Sequence, residues 1–127
     1  MMKKLAIAAT LLLALGPARA EWTKVTESAS DRTVYIDPAA IKVVGLVRQV
    51  QELWDYRDPD QFGDFSSILL VEYNCDTHQR RLLQSSGYKA QHAQGAISGV
   101  RTNPNQDWAA IAPQAIAAAI LNIVCLN

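Results

Sequence analysis

The segment Cys75-Asp76-Thr77-His78 sets a thiol three positions before an imidazole, a spacing used by zinc sites and by thiol nucleophiles. Structural zinc asks for four nitrogen or sulfur ligands, and the whole chain holds only two cysteines and two histidines. Cys125 falls in a helix-like run and His92 in an unpatterned stretch, so the four do not read as one site. A Cys75–His78 nucleophile pair fares worse, because an exported thiol with an available partner is oxidised rather than held as thiolate. Asp55, Asp58, Asp60 and Asp64 crowd one loop, where paired carboxylates would suit glycoside hydrolysis or a calcium ion. The run DYRDPDQFGD lacks the EF-hand spacing, however, and an acidic loop is ordinarily just solvated. Ser66-Ser67 and Ser85-Ser86 have no G-x-S-x-G elbow around them, and no glycine-rich phosphate loop occurs.

Arg80 and Arg81 are the candidate partner-binding residues. Adjacent cations beside His78 make a basic strand end suited to an acidic partner or an anionic glycan. The plainer alternative lays their stems over apolar surface with the heads in water. Trp22, Trp54 and Trp108 read as core or rim positions of a small domain. Together these residues predict no catalytic, metal or cofactor site, and hence a protein that is not an enzyme.

The elements that must position these groups begin with an export signal. Lys3 and Lys4 precede an apolar run from Leu5 to Leu15, Gly16-Pro17 breaks it, and Ala18-Arg19-Ala20 has the small-x-small form of a cleavage site. That run is about half of the roughly 20 residues a spanning helix needs. Residues 1–20 therefore predict a cleaved secretory signal, with no membrane span after cleavage. Position 21 is Glu rather than the cysteine of a lipoprotein, which predicts a non-lipidated product in the periplasm, secreted or at the cell surface. Residues 21–127 then form a single domain, since about 107 residues suffice for one small core and not for two. Loss of Lys3, Lys4 and Arg19 leaves nine basic against twelve acidic residues, a formal charge of −3. That balance argues against nonspecific nucleic-acid binding and against attraction to an anionic lipid surface. Export also favours one disulfide between the two cysteines, Cys75 and Cys125.

Trp22 to Glu27 alternates as a first strand, and TVYID (residues 33–37) is a second, stopped by Pro38 with Asp37 capping a short helical turn. A turn at Gly45 leads into one long central strand, LVRQVQELWDY, with Val50, Trp54 and Tyr56 on one face and Val47 and Leu53 on the other. After the loop RDPDQFGD come the strands SSILLVEYNC and RRLLQSSGY, joined by a hairpin across Asp76 to Arg80. Gly95 and Gly99 bracket a short strand, AIS, and RTNPNQD is a second loop. Pro113 opens a helix whose apolar face holds Ile116, Ile120, Ile123 and Val124. Strands first and a helix last predict an α+β fold, a mostly antiparallel sheet with one C-terminal helix packed on a face. A Cys75–Cys125 bridge would staple that helix to the sheet.

Behind an exported start and a Trp22 strand, the segments VYIDPAAI (34–41), VRQVQELWDY (47–56), SSILLVEYNCDTHQRRLL (66–83) and WAAIAPQAIAAAILNIVC (108–125) follow in an order that resembles the bacterial surface-adhesin protein E family. The resemblance covers nearly all of the mature chain. It implies an antiparallel sheet of about six strands, with the C-terminal helix tied to it by Cys75 and Cys125. It also implies a surface protein that binds host extracellular-matrix and plasma proteins, vitronectin, laminin and plasminogen among them. The family's named member looks like a lipoprotein, a feature that Glu21 of this chain does not share. The expected function is an exported, noncatalytic binding domain of the bacterial envelope with a protein partner, and a homodimer is compatible with it. The alternative is a periplasmic inhibitor of a lysozyme-type enzyme. Tyr73-Asn74-Cys75 echoes the Tyr-x-Cys element of small disulfide-bonded inhibitors, but His78 stands where they carry glycine.

Overall fold

A proline stop and strict side-chain alternation shape the first part of the sheet. The computed structural model describes residues 20–27 and 31–126, without the side chains of Thr26 and Glu27. Residues 1–19 of the expected export signal and residues 28–30, between the first two expected strands, lie outside the described residues. Strand β1 (Thr23–Glu27) pairs antiparallel with β2 (Arg32–Ile36). The chain leaves β2 as expected. Asp37 Oδ1 accepts from the Ala39 N–H at 3.2 Å, and Pro38 opens a three-residue 3-10 turn in which its missing donor costs nothing.

Strand β3 (Lys42–Val44) then turns through Gly45, at φ 60°, into the ten-residue β4 (Val47–Tyr56). Strands β5 (Ser66–Asn74), β6 (Gln79–Tyr88), β7 (Ile97–Thr102) and β8 (Ala109–Ala110) follow, and helix α1 (Ile116–Val124) ends the fold. All pairings are antiparallel, and the order across the sheet is β1-β2-β4-β5-β6-β7. The short strands β3 and β8 lie end-on to β2 and β7, along the free remainders of β4 and β6. Among the described residues eight strands thus fill a sheet six positions wide, against the expected six or so strands. The two additional ones are the shortest.

Register assigns each residue of the long strands to a face, because side chains alternate. Val34, Ile36, Val50, Leu69, Val71 and Tyr73 point to one face and build the core with Ile120, Leu121 and Val124 of α1. Burial of each of these helix side chains contributes about 2 kcal/mol. Ile123, expected on the buried face, is instead 44% exposed, and Leu121 takes its place. The far end of α1 is fixed twice. Cys75 and Cys125 form the expected disulfide, with Cα atoms 5.6 Å apart. Arg48 donates through Nε to the Val124 carbonyl at 3.2 Å, setting a cation at the negative end of the helix. No helix among the described residues is long and apolar enough to cross a membrane.

Candidate partner-binding site

Arg80 and Arg81 are neighbours in β6, so alternation sends them to opposite faces of the sheet. Arg81 lies across from Glu72 on the face that α1 leaves open. Its Nη2 and Nε reach Glu72 Oε1 at 2.8 and 2.9 Å, and Gln49 donates to the other carboxylate oxygen at 3.3 Å. Its guanidinium carbon stands 4.3 Å from the centre of the Trp108 ring. The two-residue strand β8 positions that indole, since Ala109 and Ala110 pair with Arg80 and Gln79 at the start of β6. Arg81 is thereby held flat between a carboxylate and an aromatic face, with two favourable contacts at little further entropic cost.

Beside this pair the open face forms a groove of about 240 Å³ lined by Gln51, Ile68, Leu70, Gln84, Ser86 and Tyr88. Val100 and Ile97 of β7 pair with Ser86 and Tyr88 and are each 56% exposed. The groove closes toward the loop after β6. There His92 N–H donates to Asp55 Oδ1 at 2.6 Å, Ala93 N–H to Ser66 Oγ at 2.9 Å, and Gln91 Nε2 to the Tyr56 carbonyl at 2.8 Å. The His92 ring packs against Tyr35 at 5.0 Å between centroids.

Arg80 turns toward the helix-covered face. Its Nη2 lies 3.9 Å from Oε1 of Glu52, a carboxylate with no exposed surface. The Tyr73 hydroxyl and the Trp54 indole, the latter at 3.0 Å, both donate to Glu52. Burial pushes the Glu52 pKa above its ordinary value, even though the Tyr73 hydrogen bond, the Arg80 charge and the Trp54 hydrogen bond each pull it down. Burial also raises the Tyr73 phenol, and the neighbouring Glu52 charge adds to that. Glu52 escaped sequence reasoning, yet the signal was present: it sits between Val50 and Trp54 on the face already read as apolar.

The four aspartates of the acidic loop serve separate local ends. Asp60 Oδ1 accepts from the N–H groups of Phe62 and Asp64 at 2.9 and 3.0 Å, which closes the turn. Asp58 lies 3.8 Å from Arg57, and Asp55 holds His92. Asp64 is fully buried and pairs with Lys89 Nζ at 3.3 Å. Burial favours its neutral form, but hydrogen bonding from Ser98 and Lys89 and the charges of Lys89 and Arg101 outweigh it and lower the pKa. Among the described residues no three of His, Cys, Asp or Glu converge as metal ligands.

No curated protein and no solved structure matches the chain. The family model described as surface-adhesin protein E matches residues 22–126, nearly the whole described domain. The chain belongs to the surface-adhesin protein E family.

Proposed function

We propose that the protein is an exported, noncatalytic binding domain of the bacterial envelope that engages a protein partner through the open face of its sheet, with Arg81 in the contact. Residues 1–20 serve as the export signal, and residues 21–127 act as a single non-lipidated domain in the periplasm or at the cell surface. The family's implied partners, host matrix and plasma proteins, are the first to test. The observation that supports this reading is the unequal cover of the two faces. Helix α1 packs on one, while the other keeps a groove flanked by the Arg81–Trp108 pair and by exposed Val100 and Ile97. Arginine and tryptophan are the side chains most often dominant in protein interfaces, and a pre-positioned arginine loses little freedom on binding. The inhibitor alternative gains no such support, because Tyr73 is buried against Glu52 rather than presented at the surface.

The test is equilibrium binding of the purified mature domain to immobilised vitronectin, laminin and plasminogen, with Arg81→Ala and the remote surface variant Arg57→Ala. Loss of a partly desolvated arginine at an interface centre costs about 2 kcal/mol, roughly thirtyfold in affinity. Equal affinities for Arg81→Ala and Arg57→Ala would remove Arg81 and the open face from the interface. Absence of binding to all three proteins would remove the host-protein reading. Epitope accessibility on intact cells decides between surface and periplasm.

A further inference from the structure

Between the first turn of α1 and the sheet lies a cavity of about 170 Å³ lined by Arg32, Glu52, Trp54, Arg80, Ile116 and Ile120, among others. Both guanidinium groups rest on aromatic rings, Arg32 at 4.5 Å from the Trp54 centroid and Arg80 at 5.8 Å from that of Tyr73. Their ion pairs are weak. Among the described residues Arg32 reaches the exposed Asp31, at 3.3 Å, and Arg80 stands 3.9 Å from Glu52. The Nε of each arginine is buried and finds no hydrogen-bond acceptor among the described residues. Such donors are costly to leave unmade, and two of them beside one cavity mark a shortage of acceptors there.

We propose that this cavity binds a carboxylate carried on a short apolar stem, with Arg32 and Arg80 holding the carboxylate and Trp54, Ile116 and Ile120 enclosing the stem. The charges suit a monoanion: the lining itself carries two guanidinium groups and one carboxylate, Glu52, while Asp31 lies outside the lining and holds Arg32 through Nη1. An arginine fork offers parallel N–H groups that match a carboxylate's two oxygens. The size fits as well, since an apolar cavity of about 150 Å³ admits a benzene ring. No acidic side chain lies in the first turn of α1 to compete for the arginines, and its N-cap, Ala115, places no side-chain acceptor there. This site is on the helix-covered face and stands independently of the open-face interface.

The carboxylate has two sources, a free small acid or the C-terminus of a peptide, and one titration separates them. The mature domain is titrated at constant ionic strength with benzoate, with hexanoate, with a tripeptide ending in leucine, and with that peptide's C-terminal amide. Controls are benzyl alcohol, chloride and inorganic phosphate. Isothermal calorimetry and the thermal midpoint are the readouts. Saturable one-to-one binding of an acid, with no response to benzyl alcohol or the amide, supports the proposal, and the tighter of free acid and peptide names the source. Arg32→Gln and Arg80→Gln should each weaken binding about tenfold or more. Arg32→Gln is the safer variant to fold, because its ion-pair partner among the described residues, Asp31, is exposed. Arg81→Ala should leave this affinity unchanged, so failure here and failure of the open-face reading are distinguishable. Unchanged affinity in Arg32→Gln, a response to benzyl alcohol equal to that to benzoate, or no saturation by any acid would overturn it.

Discussion

Replacing both cysteines, Cys75→Ala with Cys125→Ala, should cost far more stability than the nine-residue helix they anchor would suggest. The bridge spans a sequence separation of 50, and closing a loop of that length in the unfolded chain is worth about 4 kcal/mol in the chain-entropy treatment. A domain of this size is stable by roughly 5–15 kcal/mol in total, so the loss is about a quarter or more of a typical value. The effect should also be global. A helix shorter than about 12 residues does not hold alone in water, and α1 carries no side-chain N-cap. If α1 leaves the sheet, Val34, Val50 and Val71 lose the cover of Ile120, Leu121 and Val124. Urea denaturation of the oxidised wild type and the double variant, followed by circular dichroism and tryptophan emission, measures it. With a slope of about 2 kcal/mol per molar, the midpoint should fall by about 2 M in a single transition. A shift below about 0.5 M at unchanged slope would refute the reasoning, since the unfolded chain would then gain nothing from losing the crosslink.

Two further outcomes follow from the helix-covered face. In Gly87→Ala the new Cβ would lie 2.0 Å from Asp64 Oδ2 and 2.8 Å from Ser98 Oγ, forcing the buried Asp64 carboxylate, paired with half-exposed Lys89, to move. It should lose about 3 kcal/mol by thermal or urea melting, whereas Gly99→Ala, with its nearest atom at 4.0 Å, should stay within about 0.5 kcal/mol. Similar losses in both would show that Asp64 does not rest on Gly87. Glu52→Gln should change the pH profile of stability. Because burial raises the folded pKa of Glu52 above its ordinary 4.5, the folded state holds the proton more tightly than the unfolded chain. Its contribution is complete below pH 4.5 and is lost as pH rises to the folded value, so wild type should lose ground to Glu52→Gln across that rise. Parallel melting-temperature profiles for the two proteins would refute this.

Much of the frame was legible because local rules and tertiary packing agree in this chain. Pro38 ends β2 and Asp37 caps the turn by purely local chemistry. The alternation of β4 placed Val50 and Trp54 on one face and Leu53 on the other because that strand is ten residues long. Strands β3 and β8, with three and two residues, carry too few positions for any period to register, and only their partners on β4 and β6 define them. One position of the expected helix face, Ile123, was misplaced for a tertiary reason, while Ile116, Ile120 and Val124 do face the core. At about 100° per residue, Ile120, Leu121 and Val124 form a stripe that leans toward Cys125, not toward Ile123. The disulfide at Cys125 and the Arg48 contact at Val124 turn the helix that way, and neither is a periodic signal.

The arginine pair shows why residues that look like one motif need not be one site. Read along the chain, Arg80 and Arg81 form a basic strand end. In a strand, however, adjacency in sequence means separation by the thickness of the sheet. Arg81 joins Glu72 and Trp108 in the open, while Arg80 joins Glu52 and Tyr73 beneath the helix. The arginine that shares a cavity lining with Arg80 is Arg32, 48 positions earlier on β2. A basic dipeptide would be expected to fail as a unit when either member is replaced. Here each arginine has its own carboxylate and its own aromatic ring, so the two substitutions should impair different properties. Arg81→Ala should act on protein binding at the open face, and Arg80→Gln on small-acid binding beneath α1. Selectivity of that kind follows from strand register alone, and a shared loss of both properties in either variant would contradict it.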